Sequence, residues 1–177
     1  MKEVTLENIT LRSASRDDAA TLAELSYRTF EETFAHLNSS ENMQEYFSKN
    51  CTTDVIAEEL KDTFSAFLIA DWNAEPVGFA KLRWSEIPRE LMGRNVIEIQ
   101  RLYVLKKIIG KKVGRTLIEA CFEISRSRNA DTVWLGVWEN NIRAISFYKK
   151  CGFEVFGSQI FELGRDKQTD LLMKKIL

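Results

Sequence analysis

The sequence predicts an α/β (mixed α+β) protein: a single mixed, mostly antiparallel sheet of about seven strands with helices on both faces. Three observations carry this. Residues 96–137 run strand, helix, strand, the order of a parallel crossover. Segments 66–84 and 154–176 each read as two strands around turn-like residues, which implies antiparallel neighbours. Between the first strand and the first hairpin lies a region of helical periodicity and capping residues. The 177 residues contain no repeat, low-complexity tract or linker, so residues 1–177 are expected to form one domain with a sizeable core.

In chain order, residues 6–12 (LENITLR) alternate and predict the first strand. Ser15 and Asp18 have capping-box spacing. Behind them Ala19, Leu22, Ala23, Ser26, Phe30 and Phe34 recur at helical spacing. Short helices are expected to start at Ser40 and at Thr52 or Thr53, where hydroxyls can cap. Strands at 66–70 and 77–84 flank the turn-like 71–76. Residues 96–105 form the most apolar strand, and 108–114 lead into a helix with Val113, Leu117, Ile118, Cys121, Ile124 and Ser125 on one face. A short buried strand at 132–137 precedes a helix at 142–150, which stops at Cys151-Gly152 with the glycine as left-handed terminator. Two last strands, at 154–163 and 169–176, flank residues 164–167.

Composition narrows function. Hydrophobic residues at 45% and charged residues at 29% are ordinary for a soluble globular chain. No run of eighteen apolar residues exists to span a membrane, and the start lacks the apolar stretch of a signal peptide, so a cytoplasmic protein is expected. Cys51, Cys121 and Cys151 are odd in number and far apart, which fits free thiols. Together with the only histidine, His36, they form no ligand pattern, and no metal is expected. One histidine and no GxSxG elbow speak against a serine hydrolase, and no GxGxxG follows a strand. Charge is lopsided although the net is only −1. Residues 31–62 hold eight acids and two bases; residues 101–128 hold eight bases and two acids. One segment therefore suits a cation and the other suits phosphate, unless both are merely solvated helix faces.

The segments EIQRLYVLKKIIGKKVGRTLI (98–118) and WLGVWENNIRAISFYKKCGFEVFG (134–157) resemble motifs A and B of the GNAT (GCN5-related N-acetyltransferase) family, in order and at the usual separation. The run Asn-x-x-Ala-Ile-x-Phe-Tyr-x-x-x-Gly-Phe is the more specific part. In the family's pyrophosphate loop, Gln/Arg-x-x-Gly-x-Gly/Ala, the corresponding places hold Ile109, Lys112 and Gly114, and only the last matches. The resemblance covers nearly the whole chain. It implies an enzyme that uses acetyl-CoA as co-substrate and moves the acetyl group onto an amine.

The chemistry explains the residue types. A strand that ends in a glycine-bearing turn and opens a helix aims backbone N–H groups at one point, where the helix dipole adds about half a positive charge. Gly110 and Gly114 supply that freedom, with Ile109, Lys111, Lys112 and Arg115 around them. A left-handed Lys112 costs on the order of 1–2 kcal/mol. Either the loop is reshaped, or Lys112 offsets the cost by meeting phosphate as a cation. The resemblance further implies that the main chain at Leu102 and Val104, with Tyr103 between them, pairs with the pantetheine arm. It also implies that Asn141 reaches the cofactor and that Phe147 packs near it; alternatively these two are a helix cap and a core residue.

Tyr148 is the expected general acid for the leaving thiolate, and Glu98 the expected base for the incoming ammonium. The plainer alternatives are a buried tyrosine with a satisfied hydroxyl, and a carboxylate paired with Arg101 or another base. Segments 29–47, 134–153 and 166–175 are similar to bacterial polyamine acetyltransferases of the PaiA kind. That similarity implies a polyamine such as spermidine or spermine as acceptor, attracted by Glu31, Glu32, Glu41 and Glu45 and flanked by Phe30 and Phe34; the acids also suit a solvated face and the two phenylalanines a core stripe. Two other readings stay open: a GNAT enzyme for a peptide N-terminus, amino acid or aminoglycoside, and a non-catalytic acyl-CoA sensor. CoA phosphates account for the basic segment without a nucleic acid. A monomer and a homodimer are both compatible with the sequence.

Overall fold

The computed structural model describes residues 4–6, 8–163 and 166–177. Strands β1 (Val4–Leu6) and β2 (Ile9–Ser13) precede helices α1 (Ala19–Phe34), α2 (Ser40–Asn50) and α3 (Thr53–Glu59). Then come β3 (Ser65–Trp72), β4 (Glu75–Arg83), β5 (Val96–Val104), α4 (Val113–Ser127), β6 (Thr132–Trp138), α5 (Ile142–Lys150), β7 (Glu154–Leu163) and β8 (Asp166–Ile176). One eight-stranded sheet has the order β1-β2-β3-β4-β5-β6-β8-β7. Only β5 and β6 run parallel; every other neighbouring pair is antiparallel. Helices α1 and α4 each pack on β4 and β5, and α1 also packs on α3. Among the described residues no helix is long and apolar enough to cross a membrane.

The mixed, mostly antiparallel sheet is as expected, with one strand more. The segment read as a first strand breaks at Asn8, whose φ of 68° makes a hairpin of β1 and β2. Alternation runs through this bend, so it leaves no mark in the hydrophobic pattern; asparagine is one of few side chains that tolerate the left-handed region. Glu7 lies outside the described residues, as do Gly164 and Arg165 of the expected last turn. The turn expected over 71–76 shrinks to Asn73 and Ala74, with φ of 51° and 66°. Two consecutive left-handed residues match the twist of the flanking strands, so Asp71, Trp72, Glu75 and Pro76 extend the ladder.

Capping proceeds as the side chains predict. Ser15 and Asp18 form a capping box, Ser39 rather than Ser40 accepts from the Asn42 N–H, and Thr52 accepts from the Val55 N–H. Gly152, at φ 91°, ends α5. The core joins Leu22 and Leu25 of α1 and Ile56 of α3 to Phe79 and Leu82 of β4, with Leu117 and Ile118 of α4.

One irregularity positions the site. The parallel ladder between β5 and β6 covers only Val96–Glu98 opposite Thr132–Trp134. Beyond it, β6 stays with β8 as far as Trp138, while β5 follows β4 to Val104. A register shift between Lys81 and Leu82 leaves Gln100 as an extra residue in β5, and such a bulge bends its strand. The two central strands therefore part and open a cleft.

Candidate active site

The cleft has a volume of about 610 Å³. One wall is β5 from Ile99 to Val104; the other is Gly136, Val137 and Trp138 of β6. The 108–115 turn and α5 close one end, through Asn141, Ala144, Phe147 and Tyr148. Phe30, Phe34, Tyr46, Phe161 and Asp170 close the other.

At the first end the turn carries two residues of positive φ. Gly110 has φ 89°, and Lys112 is left-handed at φ 66°, ψ −3°, as the N-cap of α4. The N–H groups of Gly110, Lys112, Val113 and Gly114 find no acceptor among the described residues. They form a nest at a helix N-terminus, suited to pyrophosphate. A Cβ at Gly114 would lie 3.7 Å from Phe147 and 3.8 Å from Val104, so the helix start packs closely on β5 and α5. Ile109, Gly110, Lys112, Gly114 and Arg115 all line the cleft; Lys111 is exposed beside it and does not.

Along the slot, Leu102, Tyr103 and Val104 lie where β5 has left β6, so one edge of the strand is open to an extended amide-bearing arm. Asn141 caps α5, where its side chain accepts from the Ala144 N–H at 3.1 Å, and it also faces the cleft. Phe147 is half-buried against Tyr148, ring to ring at 5.3 Å. Tyr148 is buried yet lines the cleft, and no described group hydrogen-bonds its hydroxyl. Burial holds its pKa well above the usual phenol value, so it stays protonated as a donor.

Besides Lys111, three expected site residues lie outside the cleft lining. Glu98 is only 6% exposed and does not line the cleft. Its carboxylate accepts from the Arg83 Nε–H, and burial raises its pKa against the opposing pull of that arginine. It is the ion-paired carboxylate of the alternative reading, with Arg83 in place of Arg101. Arg101 is instead forked onto Glu59 at 2.7 and 2.9 Å, and Lys81 joins the same carboxylate at 3.0 Å. Glu31 and Glu32 are exposed outside the cleft: Glu31 accepts from the Tyr27 hydroxyl at 3.1 Å, and Glu32 from the Lys106 N–H at 2.7 Å. With Phe30 and Phe34 turned inward, about 100° per residue carries both acids away from the cleft.

Sequence reasoning passed over several lining residues. Trp138 stands inside the second motif, and Tyr46 stands on α2 at helical spacing with Met43, yet neither pattern separates a site wall from a core stripe. Gln168 and Asp170 alternate on β8 and both face the cleft. Burial alone raises the Asp170 carboxyl to about 6. Among the described residues no group of histidine, cysteine and carboxylate side chains is placed to hold a metal ion.

A sheet that parts, a cluster of N–H groups at a helix N-terminus and a protonated phenol along the way suit an acyl-CoA-dependent transferase. The family model described as "Acetyltransferase (GNAT) family" matches residues 21–153, and the chain belongs to that family. It is 32% identical over 97% of its length to an uncharacterized N-acetyltransferase encoded in the pepI 3' region of Lactobacillus delbrueckii subsp. lactis, covering 99% of that protein. It is 26% identical to the spermidine N(1)-acetyltransferase of Thermoplasma acidophilum, over 84% of this chain and 89% of the other. The crystal structure of the PaiA N-acetyltransferase from that organism, in complex with coenzyme A, superposes with a TM-score of 0.79 at 25% identity, covering 96% and 99% of the two chains. The protein is an acetyl-CoA-dependent N-acetyltransferase.

Proposed function

We propose that the acceptor is a primary amine with a flexible apolar body, a polyamine such as spermidine or spermine first among them, and that it attacks acetyl-CoA directly in a ternary complex. The observation that carries this is the aromatic end of the cleft. Phe30 stacks on Tyr46 at 3.7 Å and touches Phe34 at 4.5 Å, and Trp138 meets Phe34 edge-on at 6.0 Å. Ring faces bury methylenes, and protonated nitrogens gain from the ring quadrupole. This end is continuous with the slot past Tyr148, so an amine held among the rings can reach a thioester lying along β5. The likeness to a spermidine N(1)-acetyltransferase supports the same reading. Reliance on acetyl-CoA and the free thiols Cys51, Cys121 and Cys151 favour a cytoplasmic site of action.

In this reading the nitrogen lone pair attacks the thioester carbonyl, and Tyr148 donates to the sulfur as the C–S bond breaks. The same dry surroundings that raise the phenol also raise the thiol, so the two remain matched. CoA-thiol release, measured separately with spermidine, spermine, lysine, an aminoglycoside and a short peptide, tests the acceptor class. Turnover confined to the polyamines is expected. Turnover confined to the peptide or the aminoglycoside would move the acceptor to that class, and acetyl-CoA binding without any turnover would leave a sensor.

Lys112 gives a separate prediction. Lys112→Gly removes a left-handed side chain, which is expected to stabilise the fold by about 1 kcal/mol. It also removes a cation beside the phosphate nest and is expected to weaken acetyl-CoA binding roughly tenfold, about 1.4 kcal/mol. Calorimetric titration and thermal melting of the same variant read the two effects with opposite signs. Unchanged affinity would reduce Lys112 to a strained cap.

A further inference from the structure

Among the described residues the cleft is lined by one carboxylate, and none of them pairs with it. Asp170 sits inside the sheet on β8, opposite Trp138 of β6 on one side and Gln159 of β7 on the other. It lines the cleft and, among the described residues, has no hydrogen bond and no ion pair. Gly136 faces it across the ladder: a Cβ there would stand 3.4 Å from the Asp170 Oδ2 and 3.3 Å from the Gln159 Nε2. Burial raises the Tyr103 phenol to about 12 against the pull of Arg101, and the Asp170 charge adds to the rise, so the carboxylate lies within electrostatic reach of the β5 wall. A half-buried carboxylate without a partner is costly to fold around. The aromatic rings beside it can hold a cation but cannot remove a proton from one.

We propose that Asp170 is the amine-binding and proton-accepting residue of this cleft, receiving the ammonium end of the acceptor beside Trp138 and Phe34. The proposal rests on reading the cleft as an amine-acetylation site. It assigns the base to β8 rather than to Glu98, whose carboxylate is engaged by Arg83 outside the cleft. One ammonium proton passes to the carboxylate and then to water. The nitrogen lone pair forms the C–N bond, and the C–S electron pair leaves with sulfur, which takes the Tyr148 proton. The second nitrogen proton restores the phenol. Withdrawing the ammonium from water into an aromatic pocket lowers its pKa toward that of the carboxylate.

Other charged and titratable groups that face this cleft are Arg101 and Tyr103 on β5, Tyr46 on α2, Lys112 and Arg115 at the start of α4, and Arg143 and Tyr148 on α5. The three phenols are all held above their ordinary value by burial. Asp170, at about 6, is thus the facing group placed to create an acid limb in the rate.

The test compares the parent enzyme with Asp170→Asn and Glu98→Gln. It reads kcat/KM against pH, spermidine affinity by calorimetry, acetyl-CoA affinity and thermal midpoint. For the parent, kcat/KM is expected to climb about tenfold per pH unit below about 6 and then level, the profile of one ionising base. Asp170→Asn should lose roughly 10²–10³-fold near neutral pH, the usual worth of a positioned base. It should also lose the acid limb and bind spermidine at least tenfold more weakly. Acetyl-CoA should bind as before, and the melting point should not fall, because a purely structural residue would behave in the opposite way. Survival of the limb and of spermidine affinity in Asp170→Asn, or loss of the limb only in Glu98→Gln, overturns the proposal. Spermidine binding that depends on Asp170 in an enzyme without turnover would sink the acetyl-transfer reading and keep the amine site. A parent that binds no amine overturns both.

Discussion

Tyr148→Phe is expected to lower kcat by ~10²–10⁴-fold, the range for removal of a positioned proton donor, while acetyl-CoA affinity stays within about twofold. The substitution deletes one oxygen and little else. The ring of Tyr148 packs against Phe147 and Phe153 at 5.3 and 5.8 Å, and those contacts survive in phenylalanine. The hydroxyl has no partner among the described residues, so no buried group is orphaned by its loss, and stability should change little. The cost should therefore fall on the transition state: kcat and kcat/KM should drop together, the signature of an interaction made only as the thiolate leaves. Single-turnover kinetics with titration of acetyl-CoA would separate the two. A variant that turns over at the parental rate removes Tyr148 from the mechanism and returns it to the core.

Glu59→Gln carries the largest expected effect on stability. The Glu59 carboxylate is shared by the Arg101 fork and the Lys81 ammonium, and the three side chains are only 21%, 11% and 7% exposed. Glutamine keeps the shape but leaves two buried cations without a counter-charge. Breaking a buried pair by removing one partner costs about 3–5 kcal/mol. In a chain of this size that corresponds to a melting point lower by roughly 10 °C. The loss should shrink in alkali, where the stranded Lys81 can give up its proton. Burial depresses the Lys81 pKa, so between its folded and unfolded values the unfolded chain binds more protons, and stability rises with pH through that window. Melting curves at two pH values test both parts, with Lys81→Met added to relieve one of the stranded charges. A variant that melts within about two degrees of the parent would show that the network contributes little net stability. Because Arg101 also lines the cleft, a rise in the amine KM should accompany the loss of stability.

Much of this could be read in the chain. The apolar stripe of α1, the caps at Ser15 and Thr52, Asn141 at the head of α5 and Gly152 behind it are local matters, settled within a few residues by hydrogen bonding and backbone freedom. The two glycines around Lys112, and the Asn141–Tyr148 run, likewise mark residues that line one end of the cleft. Asn8 and the Asn73-Ala74 turn were hidden because a left-handed bend does not interrupt alternation.

The acceptor end depended on contacts between segments distant in sequence. Glu98 and Tyr148 look equally chemical in the sequence, but the bulge at Gln100 and the pairing of β5 with β4 bring Glu98 to Arg83, outside the cleft. Glu31 and Glu32 look like a cation site until the helix turns its phenylalanines inward. Asp170 sits in an unremarkable alternating strand, and it becomes a half-buried carboxylate with no partner among the described residues only because β8 inserts between β6 and β7, facing a gap left by two parting strands. By itself, then, the sequence determined most of the order of the elements, their caps and the glycine-bearing turn that opens α4, because each follows from short-range sterics and hydrogen bonds. The tertiary structure decided which carboxylates are neutralised and which one is left facing the cleft, because burial and ion pairing depend on strands that meet only in the folded sheet.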